Sequence, residues 1–315
     1  MLKGFVMIKY FKLLNGIKEI ENIEPNCWIN VIEPTQEELD FLKTNLHLPS
    51  DVVNDILDPD EVSHIEYEDD YTLIILRIPI YDLNKDIPYF TIPLGIFITK
   101  DYLLTLCAKE NEILSINEAA FNKKYYKNIT DKLNFILKIF LRTAKIYLRY
   151  LKQINKYISL IQKDLEQSIK NKELIDLLKM EKCLVYFITS IRANEIILSK
   201  IDHSKKAKSE INEDLLEDAI IENKQALTMA QIYSDILSGM MDAFASVISN
   251  NLNIIMKQLT SISIILMIPT VIYSLFGMNV PLFIENKQWA LPIIIIGSML
   301  LSYLGVVLFK KKEWF

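Results

Sequence analysis

Counting back from Gly277 in alternating steps of three and four gives Ser274, Thr270, Met267, Ser263, Thr260, Met256 and Asn253. The same count continues through Ser249, Ser246, Asp242, Gly239 and Asp235. This is heptad-type spacing with inverted chemistry. Where a coiled coil places Leu and Ile, this stretch places small, hydroxyl, amide, acidic and Met residues, while Ile262, Ile264, Ile265, Leu266, Val271, Ile272, Leu275 and Phe276 fill the other positions. Two kinds of chemistry fit. Stripes of Ser, Thr and Gly mark close packing between membrane helices. Alternatively, several copies surround an axis and the stripe lines a water-filled path for a cation, because polar groups at membrane depth face a bundle interior or a cavity. The continuation to Asp242 and Asp235 favours the second reading, since packing faces seldom bring carboxylates towards a shared axis without a cation or water. One helix cannot enclose a path, so that reading requires an oligomer, and the spacing does not give its number.

The elements that must carry this seam follow from charge. Between Lys257 and Glu285 Tyr273 is the one ionisable side chain, and "WALPIIIIGSMLLSYLGVVLF" (289–309) carries no charge. About 20 residues at ~1.5 Å each cross a hydrocarbon core of roughly 30 Å. Two membrane helices joined by a short loop are therefore expected. The first ends on Gly277-Met278-Asn279 instead of the usual Lys, Arg, Trp or Tyr anchors. The next three-four position would be Pro281, so the helix must end or turn at Gly277 if the Asn279 amide is to face an axis. Lys257 precedes the first span and Lys310, Lys311 and Lys312 follow the second, whereas the loop carries Glu285 and Lys287. Positive flanks mark the cytoplasmic side, which puts both termini inside. The N-terminal apolar stretch is broken by Lys3, Lys9 and Lys12, unlike a signal peptide.

Upstream, "CWINVI" (27–32) reads as a strand. Thr35 and Glu38 have capping-box spacing, which starts a helix, and a second short helix is expected over Ser50–Leu57. Strand-like runs at 71–81, 90–99 and 102–107 are separated by short turns. They suit an antiparallel meander with helices against one face. Between about residue 110 and residue 256 there is no proline and one glycine, Gly239, while apolar residues such as Leu133, Ile136, Leu137, Phe140, Leu141, Ala144 and Leu148 recur at helical spacing. Long helices are expected over about 129–170 and 173–203. A third starts near 211 and runs unbroken into the first span, about 95 Å at ~1.5 Å per residue.

Other chemistries find little support. A net charge of −5 argues against nucleic acid as a partner. Seven glycines include no phosphate-binding loop, so an ATP-driven pump is not expected, nor is an enzyme. His47, His64 and His203 are scattered, and Cys27, Cys107 and Cys183 lack metal-ligand spacing. The cysteines are read as small buried hydrophobes in a cytoplasmic protein.

Phe276-Gly277-Met278-Asn279 after a Thr/Ser-bearing span, a second span, and the ending Phe309-Lys310-Lys311-Lys312-Glu313-Trp314-Phe315 resemble the CorA family of magnesium transporters. "LSGMMDAF" (237–244) and "SNNLNIIMKQLT" (249–260) resemble that family's stalk, and "NDIL" with "HIEYEDDYTLIIL" (54–76) its N-terminal domain. The resemblance implies an α+β cytoplasmic domain, a long stalk helix and two C-terminal transmembrane helices, assembled as a homopentameric, funnel-shaped channel in the plasma membrane. It divides the chain into an α/β domain (1–125), long cytoplasmic helices including the stalk (126–255), a pore-lining span (256–277), an external loop (278–288), a second span (289–309) and a basic tail (310–315). The implied cargo is Mg²⁺, often with Co²⁺ or Ni²⁺, entering under the membrane potential.

By the same resemblance Gly277, Met278 and Asn279 form the outer selectivity ring, with the Asn279 amide and the Gly277 carbonyl holding the ion's waters. Mg²⁺ dehydrates reluctantly, and neutral amides and carbonyls bond its waters without the tighter grip of a carboxylate ring. Met278 is expected to pack against neighbours. Thr270 and Asn253 correspond to polar pore positions, Met256, Leu259 and Met267 to a hydrophobic constriction, and Asp242 to the cytoplasmic mouth. Thr260, Ser263 and Ser274 complete the lining. Asp55 and Asp218 correspond to a pair that binds regulatory Mg²⁺ between subunits. Without the resemblance each is a solvated carboxylate, and a Gly-x-Asn helix end is an ordinary cap. Three departures bear on cation preference: Val280 replaces the family's aromatic, Phe283-Ile284-Glu285-Asn286 replaces its Met-Pro-Glu-Leu, and Pro269 is displaced by one residue. Glu285 keeps an acid in the loop. A zinc transporter of the same superfamily, or a membrane-anchored sensor without transport, are the alternatives.

Overall fold

The computed structural model describes residues 7–13, 17–115, 132–167, 171–204, 212–278 and 289–312. The chain divides into two compact units, Met1–Gly239 and Met240–Phe315. The first is built on a seven-stranded sheet in the order β2-β1-β3-β7-β6-β5-β4. The strands are β1 Ile8–Leu13, β2 Ile17–Ile20, β3 Cys27–Ile32, β4 His64–Tyr67, β5 Thr72–Tyr81, β6 Tyr89–Ile98 and β7 Tyr102–Cys107. Strands β5, β6 and β7 form the expected meander, while β3 joins β7 in parallel, with Ile29 opposite Leu104. Neither β1 nor β2 was expected. Lysines break up their apolar runs, Lys9 being exposed between buried Ile8 and half-buried Tyr10, and β2 has the non-alternating order half-buried, exposed, exposed, half-buried.

Helices α1 (Gln36–Asn45) and α2 (Ser50–Leu57) cover one face. Leu39 and Leu42 of α1 and Val52, Val53 and Ile56 of α2 pack on Ile29, Leu73, Ile75, Phe97 and Leu104 of the sheet. Gly95 makes room for this. A Cβ there would lie 2.2 Å from Cδ1 of Ile56. The cap of α1 has the anticipated reciprocal form: Thr35 Oγ1 accepts from the Glu38 N–H at 3.3 Å, and the Glu38 carboxylate accepts from the Thr35 N–H at 2.8 Å.

The opposite face is covered too, which corrects the expectation of helices on one side. Trp28 points away from the α1/α2 core and meets Phe135 of α3 (Lys132–Gln167), ring centroids 4.7 Å apart. Its indole N–H donates to Thr105 Oγ1 at 2.8 Å, and that hydroxyl donates to Asn30 Oδ1 at 2.9 Å. The reason is visible in the strands. β5 and β6 are buried along nearly their whole length, and a continuous apolar run is the pattern of a strand enclosed on both faces.

Helix α4 (Asn171–His203) completes the layer, held to the sheet by Ser190, whose Oγ lies 2.8 Å from Thr91 Oγ1 of β6, and by Asn194. Strand β4 pairs with β5 only as far as His64 opposite Ile75, so the next outward-facing peptide groups of β5 belong to Arg77. Asn194 of α4 takes the place of the absent strand. Its Oδ1 accepts from the Arg77 N–H at 3.0 Å and its Nδ2 donates to the Arg77 carbonyl at 2.8 Å. Ser63 donates to the same Oδ1, and the Tyr147 hydroxyl donates to the same carbonyl. Burial pushes the Tyr147 phenol well above its ordinary value and holds the Arg77 guanidinium below its own. The long helices begin and end within a few residues of the expected breaks, and α5 is a single helix, Glu213–Phe276.

The second unit contains the end of α5 and α6 (Ala290–Lys311), both long and apolar enough to cross a membrane. They meet through small residues. A Cβ on Gly305 of α6 would sit 3.3 Å from Ile268 Cδ1 and 3.8 Å from Ile265 Cγ1. Ser298, also on α6, is 1% exposed.

Two substitutions, each with a control, test these contacts. Asn194→Ala should lower unfolding stability by about 1–3 kcal/mol, since it strips partners from buried peptide groups. Thr189→Ala, whose exposed hydroxyl bonds its own helix, should stay within about 0.5 kcal/mol. Chemical denaturation of the detergent-solubilised protein reads both. In the second unit Gly305→Leu should cost about 1–3 kcal/mol by overpacking against Ile265 and Ile268, read as a fall in melting temperature, while Gly297→Ala, facing open space, should leave it in place.

Candidate functional site

Within the second unit the residues of α5 divide into two stripes. Ser261, Ile265, Ile268, Ile272 and Phe276 are buried or half-buried. Two residues after the first four come Ser263, Met267, Thr270 and Ser274, and all four are exposed. Two residues is about 200° round a helix. The polar seam therefore lies on the side of α5 turned away from α6. Asn253, Met256, Leu259, Thr260 and Gly277 share this exposure, with Met256 and Leu259 both at 64%. The small-residue stripe does not serve packing between the two spans of one chain; α6 supplies its own small residues, Ser298 and Gly305, for that contact.

The seam's hydroxyls are also oriented chemically. Ser263 Oγ donates to the Leu259 carbonyl and Thr270 Oγ1 to the Leu266 carbonyl, each at 2.9 Å. Their hydrogens are spent on the helix's own backbone, so the oxygens are left with accepting lone pairs. A hydrated cation turns water hydrogens outward and needs acceptors. This face offers them between Met256, Leu259 and Met267, whose side chains cannot bond water.

Helix α5 stops where the seam demands it. Phe276 is its last helical residue, and the Gly277 N–H donates to the carbonyls of Tyr273 at 2.9 Å and Ser274 at 3.2 Å. Met278 is exposed in the single chain. Asn279 and Glu285 lie outside the described residues. Asp242 is exposed in the second unit, and Asp235 is exposed in the first.

The remaining two carboxylates belong to the first unit. Asp55 is exposed on α2, next to buried Ile56, and Asp218 is exposed near the start of α5, next to buried Ala219. Asn223, further along, donates to the Ile191 carbonyl of α4 at 3.2 Å and fixes that part of α5 on the bundle. No hydrogen bond or ion pair among the described residues joins Asp55 to Asp218, and one chain brings no three His, Cys, Asp or Glu side chains into a metal-holding group there. Cys27, Cys107 and Cys183 are free and buried, with Cys107 and Cys183 pushed up to about 11 by burial. These thiols are packing residues. His47 and His203 are exposed, and His64 lies 3.4 Å from both Glu61 and Glu66 at the surface.

One contact at this site had gone unread in the sequence. The Tyr273 hydroxyl lies 2.9 Å from Ser298 Oγ, across from α5 to α6. The signal was present as the lone ionisable group of the first span opposite a serine in the second, but pairing them requires knowing how the two helices register.

The family model for CorA-like Mg²⁺ transporter protein matches residues 24–312. The cobalt/magnesium transport protein CorA of Methanocaldococcus jannaschii is 25% identical over 292 residues, covering 91% of this chain and 90% of that protein. The magnesium transport protein CorA of Helicobacter pylori is 25% identical, covering 98% and 96%. In fold, the complete structure of the M. jannaschii CorA magnesium transporter superposes with a TM-score of 0.84 at 22% identity, covering 99% of both chains. The cytoplasmic domain of ZntB from Vibrio parahaemolyticus gives 0.57 at 16% identity, over 78% of this chain and 98% of that one. The match of sequence runs from the third strand to the last residues of the second apolar helix, and the chain belongs to the family of CorA-like Mg²⁺ transporter proteins.

Proposed function

We propose that the protein is a membrane channel for divalent cations that admits Mg²⁺ into the cell along the polar seam of α5, with several copies of that seam facing a common axis. The observation that carries this reading is the placement of the seam opposite the α6-facing stripe, with the Ser263 and Thr270 hydroxyls turned into acceptors. Such a face is exposed in one chain and becomes a lined path when copies surround it. The relatives named as cobalt/magnesium and magnesium transport proteins support the choice of cargo. The family resemblance supports five copies in the plasma membrane, and Lys257 with Lys310, Lys311 and Lys312 supports an orientation with both termini inside.

In this channel Gly277, Met278 and Asn279 form the outer ring, and Glu285 draws cations to the mouth. Asn279 bonds the waters of a hydrated ion, which enters without paying the full cost of dehydration. Further in, Ser274, Thr270, Ser263, Thr260 and Asn253 bond those waters in turn. Met256, Leu259 and Met267 form a constriction that closes by dewetting, and Asp242 stands at the inner end. Asp55 and Asp218 fit a regulatory cation held between chains, because both carboxylates are exposed and the described residues of one chain complete no site around them. Internal Mg²⁺ bound there favours the closed arrangement, and its loss shifts the population towards the open one.

Ion entry into proteoliposomes under an applied potential tests the path. Asn279→Ala should reduce Mg²⁺ entry about tenfold or more, equivalent to ~1.4 kcal/mol at the barrier. Entry equal to that of the unaltered protein would remove Asn279 from the filter, and no entry in either would leave the two spans as an anchor. Regulation has its own readout. Asp218→Ala should raise by about tenfold the Mg²⁺ concentration that half-protects the protein from protease, a loss of ~1.4 kcal/mol in binding; an unshifted protection curve would count against the site.

A further inference from the structure

The transport reading leaves open what fixes the rotation of α5 about its own axis, and rotation decides which residues the seam presents. The apolar contacts with α6 contribute, with Ile265 and Ile268 against Gly305, but each such dispersion contact is individually weak. A hydrogen bond is directional. The Tyr273 hydroxyl and Ser298 Oγ, 2.9 Å apart, link α5 to α6 one turn before the helix stops.

Hydrogen bookkeeping gives the bond its sense. Ser298 Oγ donates to the Ile295 carbonyl at 2.8 Å, which spends its one hydrogen. The phenol of Tyr273 is therefore the donor and Ser298 the acceptor. Ser298 is itself held, being 1% exposed and having its carbonyl accept from Ser302 Oγ at 3.0 Å. On the other side, the carbonyl of Tyr273 accepts the Gly277 N–H that ends the helix. One residue thus ties its side chain to a fixed point on α6 and its backbone to the turn that leads to Met278. Ser274, the next residue, is on the seam about 100° further round.

We infer that Tyr273 is a positioning residue. Its hydrogen bond to Ser298 sets the rotation of the outer end of α5 and so the aim of Ser274 and of the Gly277 turn towards the ion path. Tyr273 does not touch the ion. This inference rests on the transport reading for its consequence but not for its geometry, and the experiment separates the two.

Full-length protein in liposomes carries Ser274→Cys as a reporter, the native cysteines being buried, and its rate of reaction with a charged, membrane-impermeant thiol reagent is measured. Adding Tyr273→Phe or Ser298→Ala should change that rate about threefold, the factor that an interhelical hydrogen bond in a membrane supplies. The two together should do no more than either alone, as expected for one shared bond. Without the reporter, the same two substitutions should shift the ratio of Mg²⁺ to Co²⁺ entry by a similar factor with the oligomer size unchanged. A labelling rate that Tyr273→Phe leaves unchanged, zero included, overturns the inference, as do independent, additive effects of the two substitutions. Changed labelling in a protein that passes no ion keeps the bond as the determinant of rotation and removes the transport reading instead.

Discussion

A helix has one circumference, and everything in the second unit depends on how α5 divides its own. In a hydrocarbon environment the backbone must satisfy its peptide groups internally, so a spanning segment is free to vary only in what its sides touch. One side is taken by α6 through Ile265, Ile268 and Ile272. The opposite side carries Ser263, Met267, Thr270 and Ser274, and no part of the described unit covers it. Polar groups in that position need water or a second copy of the chain. The residue order of this single helix thus sets aside one face for α6 and an opposite, polar face for water or another chain.

The soluble unit meets a different constraint. Its sheet is enclosed on both faces, and the strands in the middle have little polarity with which to fix their neighbours' places. The few buried polar groups do that work. The Trp28, Thr105 and Asn30 chain ties β3 to β7 and fixes the indole that meets Phe135 of α3, and Asn194 holds α4 over the end of β5. Each of these side chains has a hydrogen-bond partner, and a satisfied buried polar network fixes one arrangement rather than weakening the core.

How much of this could be read from the sequence follows from the range of the interactions involved. The capping box at Thr35 and Glu38, the breaks near residues 170 and 205, and the stop at Gly277 are local, and local signals were legible. So was the seam, because period in a helix is a property of one segment. The covering of the second sheet face was legible in principle, since the runs in β5 and β6 do not alternate, but it was masked by reading them as half-exposed strands. Strands β1 and β2 escaped because lysines interrupt their apolar pattern. Asn194 with Arg77 was not legible, since it joins residues far apart in the chain whose own neighbours give no sign of a partner, and Tyr273 with Ser298 could be paired only once the register of the two spans was known. For the candidate path, the sequence named candidate residues and the helix end, and the structure added the side of α5 on which the described ones lie.

The side chain of Asn194 has one more consequence. A strand that outruns its neighbour leaves a peptide edge able to pair with any other extended chain, and such edges seed aggregation. A protein confined to a bilayer alongside many copies of itself meets that hazard at high local concentration. By supplying one donor and one acceptor in the register of a missing strand, Asn194 occupies the Arg77 peptide groups that β4 leaves open and removes them as a pairing edge.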